Sequence, residues 1–147
     1  PGPPSYPGSG CINFSLYNDE KEFGVTTHVM EEKVDSGDII DYELFPVLKN
    51  QFLEHITKIT HFKLFNQLTD LLLNISLYGD KYIEEKIKKN KPIKWSKVKR
   101  TIKELNKHRE IKVDFSESEL IKRTRSFHHK EYPLYIKLHN KIFYLKD

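Results

Sequence analysis

The stretch GVTTHVMEEKVDSGDII, residues 24–40, decides the fold of this 147-residue chain. Phe23 to Met30 is rich in β-branched side chains and predicts a strand, and Asp38 to Leu48 predicts another. Between them lies an acidic turn with an Asp-Ser-Gly corner that begins at Asp35. Aspartate is common in turns because its side chain bonds its own backbone. The segment therefore predicts two strands joined by a turn that presents one carboxylate.

A stiff loop precedes these strands and a long helix follows them. The segment from Pro1 to Gly10, PGPPSYPGSG, combines four prolines with three glycines, so it is rigid and unusual in shape. Cys11 to Tyr17 is compatible with a short helix. The clearest helix runs from Gln51 to Leu77, where apolar residues recur at spacings near three and four. The stripe that we expect to pack against the sheet is Phe52, Ile56, Ile59, Phe65, Leu68, Leu72 and Ile75.

The remainder of the chain contains shorter elements. Gly79 is expected to end the long helix, and Lys81 to Lys89 predicts a short basic helix. A Ser-Glu-Ser-Glu capping box opens a helix that extends from about residue 116 to Phe127. The alternating tail predicts a β-hairpin with its bend at His139-Asn140.

These elements predict an α/β fold in three parts. Residues 1–78 hold two strands and the long helix of an α/β sheet, residues 79–100 form a basic linker, and residues 101–147 form a small α+β module. The chain begins without a Met, so we interpret it as a piece of a longer protein that lacks its N-terminal half.

Composition bounds the class of protein. The chain is 37% hydrophobic and 31% charged, as in ordinary globular domains, and no apolar run is long enough to span a bilayer. The single cysteine, Cys11, excludes an internal disulfide and favours the cytoplasm. From Lys86 to Arg100, eight of fifteen residues are Lys or Arg. Such a run could meet phosphates, although a solvated linker is the simpler interpretation.

Several of these motifs occur together in one known family. The Gly-Pro-Pro-Ser-Tyr-Pro-Gly loop, Asn13-Phe14 and the pattern Gly-Val-Thr-Thr-His…Asp-Ser-Gly resemble the catalytic half of the folate-dependent formyltransferases. Among these, the chain looks most like the enzymes that N-formylate amino sugars on nucleotide carriers, and the tail from Phe115 to Leu145 is similar to their small C-terminal module. The resemblance implies the C-terminal part of a formyltransferase-type Rossmann-like sheet.

The resemblance also implies site residues. Asp35 would be the catalytic carboxylate, acting beside a His of an Asn-x-His motif that would directly precede Pro1. N10-formyltetrahydrofolate would be the co-substrate, held by the loop Met30, Glu31, Glu32, Lys33 and Val34. The residues expected to contact a nucleotide-sugar are Pro3, Ser5, Tyr6, Gly8, Asn13 and Arg123. Arg123 is equally compatible with a solvent-exposed helix charge, and His28 with either a buried structural histidine or a cofactor contact. No metal is expected, because His128-His129 has no further ligands nearby.

The function implied is formyl transfer to the amine of a nucleotide-linked amino-dideoxysugar, with thymidine diphosphate as the expected carrier, for O-antigen or related surface-glycan synthesis. Such proteins act without membrane or nucleic acid, and the C-terminal module is expected to contribute to a homodimer. Residues 1–147 alone are expected to be inactive. One alternative is a methionyl-tRNA formyltransferase whose basic stretch binds tRNA. A second is a non-catalytic basic module that binds nucleic acid.

Overall fold

Five helices and five strands make up residues 2–146, the part of the chain that this computed structural model describes. The elements in chain order are α1 Cys11–Tyr17, β1 Glu22–His28, β2 Ile39–Pro46, α2 Leu53–Tyr78, α3 Asp80–Asn90, α4 Ile102–His108, β3 Glu110–Ile111, α5 Glu117–Phe127, β4 Tyr135–Leu138 and β5 Lys141–Tyr144. The predicted mixed α/β class is confirmed. Pro1, which the sequence places at the start of the stiff loop, lies outside the described residues.

The strands β1 and β2 form an antiparallel pair, as the sequence predicts. Phe23 lies opposite Phe45, and the register shifts between Thr27 and His28 at the end next to the acidic turn. This pair, α1 and the first turn of α2 enclose the first core cluster, which consists of Leu16, Phe23, Phe45, Val47, Leu53 and Ile56. The core therefore lies at the base of the strands and leaves the turn between them at the surface.

The prediction of one buried stripe along α2 is wrong. Ile56 is fully buried, whereas Phe65, Leu68 and Leu72 are 67%, 50% and 59% exposed. The step from Ile59 to Phe65 is six residues, which turns a helix by about 240°. The predicted stripe therefore combined residues from two different faces of α2. The face that meets the strands carries Ile56, Thr60 and Gln67, all buried, while Phe65 and Leu72 lie on the exposed side of the helix.

The basic helix α3 packs against β2 rather than standing free. Gly79 separates it from α2 with a φ of 65°, as expected of a helix stop. Lys86 Nζ donates to Asp41 Oδ2 at 2.9 Å, and Asn90 Nδ2 donates to the Ile40 carbonyl at 2.7 Å. The N-terminal part of the predicted linker is thus a helix fixed to the sheet; the boundaries at residues 78 and 100 stay a prediction.

The C-terminal module contains a second core and a second sheet. Phe14 of α1 packs with Phe127 and Leu134, so the module shares its core with the N-terminal part. The predicted helix α5 and the hairpin β4–β5 are confirmed, and His139 turns the hairpin with a φ of 52°. The strand β3, parallel to β4, was not predicted.

Helix α4 was also missed, although the sequence contains its signal. Thr101 Oγ1 accepts from the Glu104 amide at 3.2 Å, and Glu104 Oε2 accepts from the Thr101 amide at 2.7 Å. These two bonds form a reciprocal capping box, which the Thr-x-x-Glu pattern predicts.

Within residues 2–146, no helix is both long and apolar enough to cross a membrane. The same residues contain no group of three or more His, Cys, Asp or Glu side chains placed to hold a metal ion.

Candidate functional site

The carboxylate of Asp35 is the centre of the candidate site. Asp35 is only 8% exposed although it lies in a surface turn. Its Oδ2 accepts a hydrogen bond from the Gly8 amide at 2.6 Å, and its Oδ1 lies 3.9 Å from His28 Nε2. The structure therefore brings together the Pro/Gly loop, the end of β1 and the acidic turn. These are the three features that the sequence singles out.

His28 is mostly buried beside this carboxylate. Its Nδ1 lies 2.7 Å from the Val29 carbonyl oxygen, and its ring contacts that of Trp95 edge-on at a centroid distance of 5.1 Å. Nδ1 can hold this contact only by donating a proton, so Nε2 faces the carboxylate as the second ring nitrogen. His28 thus has the hydrogen bond of a structural histidine and also lines the cavity beside Asp35, and both interpretations of its role stay predictions.

A cavity of about 520 Å³ lies next to Asp35. The predicted folate-binding loop forms one wall through Met30, Glu31, Lys33 and Val34, and α2 forms the other. Met30 and Val34, the large apolar side chains of this loop, are 90% and 73% exposed. Glu32 is exposed and lines a neighbouring surface depression. A mostly apolar cavity with a carboxylate at its edge suits a flat, partly apolar ligand.

Two residues of the basic run, to which the sequence assigned no role at Asp35, hold the acidic turn. Trp95 Nε1 donates to the Gly37 carbonyl at 2.8 Å. Lys99 Nζ donates to the Asp35 carbonyl at 2.9 Å and also to the Val34 carbonyl. All three acceptors are backbone oxygens, which every residue has, so no motif in the turn could reveal these contacts.

Tyr6 and Asn13, two of the predicted substrate contacts, bind other parts of the chain. The Tyr6 hydroxyl donates to Glu20 Oε1 at 2.7 Å and accepts from Asn18 Nδ2 at 2.8 Å. Asn13 Nδ2 donates to the Ser126 carbonyl at 2.8 Å. These side chains fix the loop and α1 to their surroundings, and their contact with a substrate stays a prediction.

The remaining predicted substrate contacts differ in exposure. Pro3 is buried and its carbonyl accepts from the Tyr6 amide at 2.9 Å, while Ser5 is exposed. Gly8 binds the Asp35 carboxylate. The structure thus shows the Gly8 amide holding the Asp35 carboxylate, whereas the resemblance implied that Gly8 contacts the substrate.

Arg123 lies inside the C-terminal module. Its Nε donates to Glu119 Oε1 at 2.6 Å and its Nη1 to the His108 carbonyl at 2.8 Å, with the guanidinium 4.4 Å from the centroid of the Phe115 ring. The side chain is 12% exposed, so the alternative of a solvent-exposed charge is wrong. Its contact with a pyrophosphate stays a prediction.

Tyr6 gives the loop a dependence on alkaline pH. Burial, reinforced by the Glu20 carboxylate, raises the pKa of Tyr6 from 10.0 to about 12. Between these values the unfolded chain loses the phenolic proton and the folded chain keeps it. The stability that this group contributes is therefore complete below pH 10 and is lost as the pH rises toward 12.

We expect urea unfolding of Tyr6→Phe to depend less on pH in this range than that of the wild type. Tyr78→Phe, at an exposed position, is the control, and the same pH dependence in both variants would contradict the assignment.

The comparisons with known proteins point to one family. Residues 3–71 match the family model described as formyl transferase. Over 87 residues the chain is 30% identical to a methionyl-tRNA formyltransferase from Finegoldia magna, covering 59% of this chain and 27% of that protein. A 4-N formyltransferase from Francisella tularensis has the same fold, with a TM-score of 0.72 and 22% identity over 99% of this chain and 58% of the other.

A second solved structure has a similar fold. An N-formyltransferase from Helicobacter canadensis, solved with folinic acid and dTDP-3-aminofucose, matches with a TM-score of 0.53 and 23% identity over 93% of this chain and 48% of that one. The chain thus spans about half the length of these two solved relatives, and less than a third of the methionyl-tRNA enzyme.

Proposed function

Because residues 3–71 match the formyl transferase family model, we propose that the parent protein of this chain is an N-formyltransferase. The formyl donor is N10-formyltetrahydrofolate, and the acceptor is the amine of a nucleotide-linked amino-dideoxysugar. The observation that carries the proposal is the buried carboxylate of Asp35, held by the Gly8 amide at the edge of a cavity formed by residues 30–34.

The lining of this cavity fits a folate. Its walls are largely apolar, through Met30, Val34 and the α2 leucines Leu64, Leu68 and Leu71, and Glu31 and Lys33 add polar groups. The bound folate supplies a formyl carbon that is activated toward attack by an amine. A ring system can lie between the exposed loop and the helix, with the formyl group directed to the carboxylate.

The proposed role of Asp35 is proton transfer. When an amine attacks the formyl carbon, a C–N bond forms and the nitrogen becomes acidic. The carboxylate accepts this proton, directly or through a water molecule, and the proton finally reaches the nitrogen of the folate as its bond to the formyl carbon breaks. The Gly8 amide fixes one carboxylate oxygen and leaves the other, Oδ1, for this exchange.

The contacts that basic residues make within the chain favour an amino-sugar acceptor over tRNA. Of the run from Lys86 to Arg100, Lys86 binds Asp41 and Lys99 binds the acidic turn. Arg100 lies 3.6 Å from Glu104 and 4.9 Å from the centre of the Phe14 ring. Three of the eight cations therefore have partners within the chain, which weakens the proposal of a tRNA-binding surface. Methionyl-tRNA remains the second candidate because of the Finegoldia relative.

The test uses the parent protein with its native N-terminus. It is incubated with N10-formyltetrahydrofolate and, separately, with thymidine-diphosphate 3-amino and 4-amino dideoxyhexoses and with methionyl-tRNA. Mass spectrometry then detects one added formyl group. Formylation of either sugar supports the proposal and identifies the ring position. Transfer to methionyl-tRNA alone would support the second candidate, and transfer to none of them would contradict formyl transfer itself.

A further inference from the structure

The backbone at Asp35 is in a conformation that needs support. Its φ is 49°, in the left-handed region, which costs energy for residues other than glycine although aspartate adopts it more readily than most. Such a conformation persists only when surrounding contacts hold it, and it is common at functional sites. The contact between Gly8 and the carboxylate fixes the end of the side chain. Other residues must fix the backbone of the turn.

Two side chains from one short segment do this. The Lys99 ammonium binds the carbonyls of Val34 and Asp35, which belong to the two peptide groups that flank the Asp35 Cα. The indole of Trp95 binds the Gly37 carbonyl at 2.8 Å, two residues beyond Asp35. The same indole contacts the His28 ring, so it also fixes the other group that faces the carboxylate.

The backbone of this segment is bound to the Pro/Gly loop. The Ser96 amide donates to the Pro4 carbonyl at 2.8 Å, and the Ser9 amide donates to the Arg100 carbonyl at 3.0 Å. Gly8 and Arg100 pair as in a parallel sheet. Residues 95–100, which we name the clamp segment, therefore contact the loop through their backbone and the acidic turn through their side chains.

We propose that Trp95 and Lys99 are positioning residues for Asp35 that set the distance between its carboxylate and the Pro/Gly loop. This inference rests on the proposed function, because it assigns a role in that reaction. Without the Lys99 ammonium, the two carbonyls lose a charged donor and the turn can relax out of the left-handed conformation. The carboxylate then leaves the Gly8 amide and His28.

The experiment compares four variants of the full-length parent protein. Lys99→Met removes the ammonium and keeps most of the apolar stem. Lys99→Arg keeps donors that can reach two carbonyls. Trp95→Phe keeps an aromatic ring beside His28 and removes the donor to Gly37. Lys97→Met is the matched control, because Lys97 lies in the same segment but is exposed.

We expect Lys99→Met to lower kcat for formyl transfer by about 10²-fold, since a misplacement of about 1 Å has an effect of this size. The KM for the amine should be unchanged. Lys99→Arg should recover most of the loss, Trp95→Phe should show a smaller decrease in kcat, and Lys97→Met should match the wild type. If Lys99→Met and Trp95→Phe both keep the kcat of the control, the proposal is overturned. If Lys99→Met fails to fold or raises only KM, the residue stabilises or binds instead, and the proposal is again overturned.

Hydrogen exchange separates this inference from the proposed function. Peptides that span residues 30–38 should exchange faster in Lys99→Met than in Lys97→Met, with or without detectable turnover. If the wild type transfers no formyl group, the proposed function fails and the exchange result alone decides whether the clamp holds the turn. Equal hydrogen exchange of these peptides in the two variants would contradict the inference even if the enzyme is active.

Discussion

We expect Asp35→Asn to lower formyl transfer by the parent protein by about 10²- to 10⁴-fold, the range typical for loss of a general acid or base. Asparagine has nearly the same shape as aspartate, and its side-chain oxygen can still accept from the Gly8 amide. The variant should therefore fold normally. What it loses is the negative charge beside His28 and the ability to accept a proton from the attacking amine.

The matched control is Asp38→Asn, which removes the same charge from an exposed position three residues away. Steady-state rates and thermal unfolding are measured for both variants. A rate for Asp35→Asn equal to that of Asp38→Asn would exclude Asp35 from the chemistry. A large fall in melting temperature for Asp35→Asn alone would instead indicate a structural role.

Gly8→Ala should destabilise the protein by about 2–5 kcal/mol and remove activity. A φ of 93° is unfavourable for alanine by about 1–2 kcal/mol. In addition, a Cβ at Gly8 would lie 2.4 Å from the Arg100 carbonyl oxygen and 3.0 Å from its nitrogen, and overpacking of this kind costs about 1–3 kcal/mol. The loop must move away from Arg100, and the Gly8 amide that binds Asp35 moves with it.

Gly79→Ala separates the two contributions. Gly79 also has a positive φ, 65°, but a Cβ there would meet nothing within 4 Å. It should therefore show only the conformational cost of its backbone geometry (φ 65°, ψ −159°), about 1–3 kcal/mol, and keep full activity. Urea unfolding of both variants gives the comparison. Equal destabilisation would mean that the contact between Gly8 and Arg100 is looser than the structure indicates.

The sequence predicts local elements better than contacts between distant ones. The strands around Asp35, the basic helix and the C-terminal hairpin follow from periodicity and turn residues that lie within a few positions of each other. The burial of α2 does not follow from such local signals, because the apolar periodicity after Ile59 continues on another face of the same helix. Spacing alone cannot tell which face meets the sheet when both faces are apolar.

The residues of the candidate site also divide into those that local sequence patterns predict and those that they do not. Asp35, Gly8 and His28 are found together because each belongs to a recognisable stretch of sequence. Trp95 and Lys99 were missed because their acceptors are carbonyls, and the single lysine that matters lies in a run of eight cations. Tyr6 and Asn13 have polar groups suited to a substrate, but those groups find partners in Glu20, Asn18 and Ser126, which no local pattern indicates.

The clamp segment also has a consequence for synthesis of the protein on the ribosome. Lys99 follows Asp35 by 64 positions. At about 5–20 residues per second, translation delivers this lysine about 3–13 s after the aspartate. During that interval β2 and α2 are synthesised, so every residue of α1, the β1–β2 hairpin and α2 is present before Lys99. The first core cluster can therefore form before the clamp segment is made, and the contacts of Trp95 and Lys99 with the acidic turn form later.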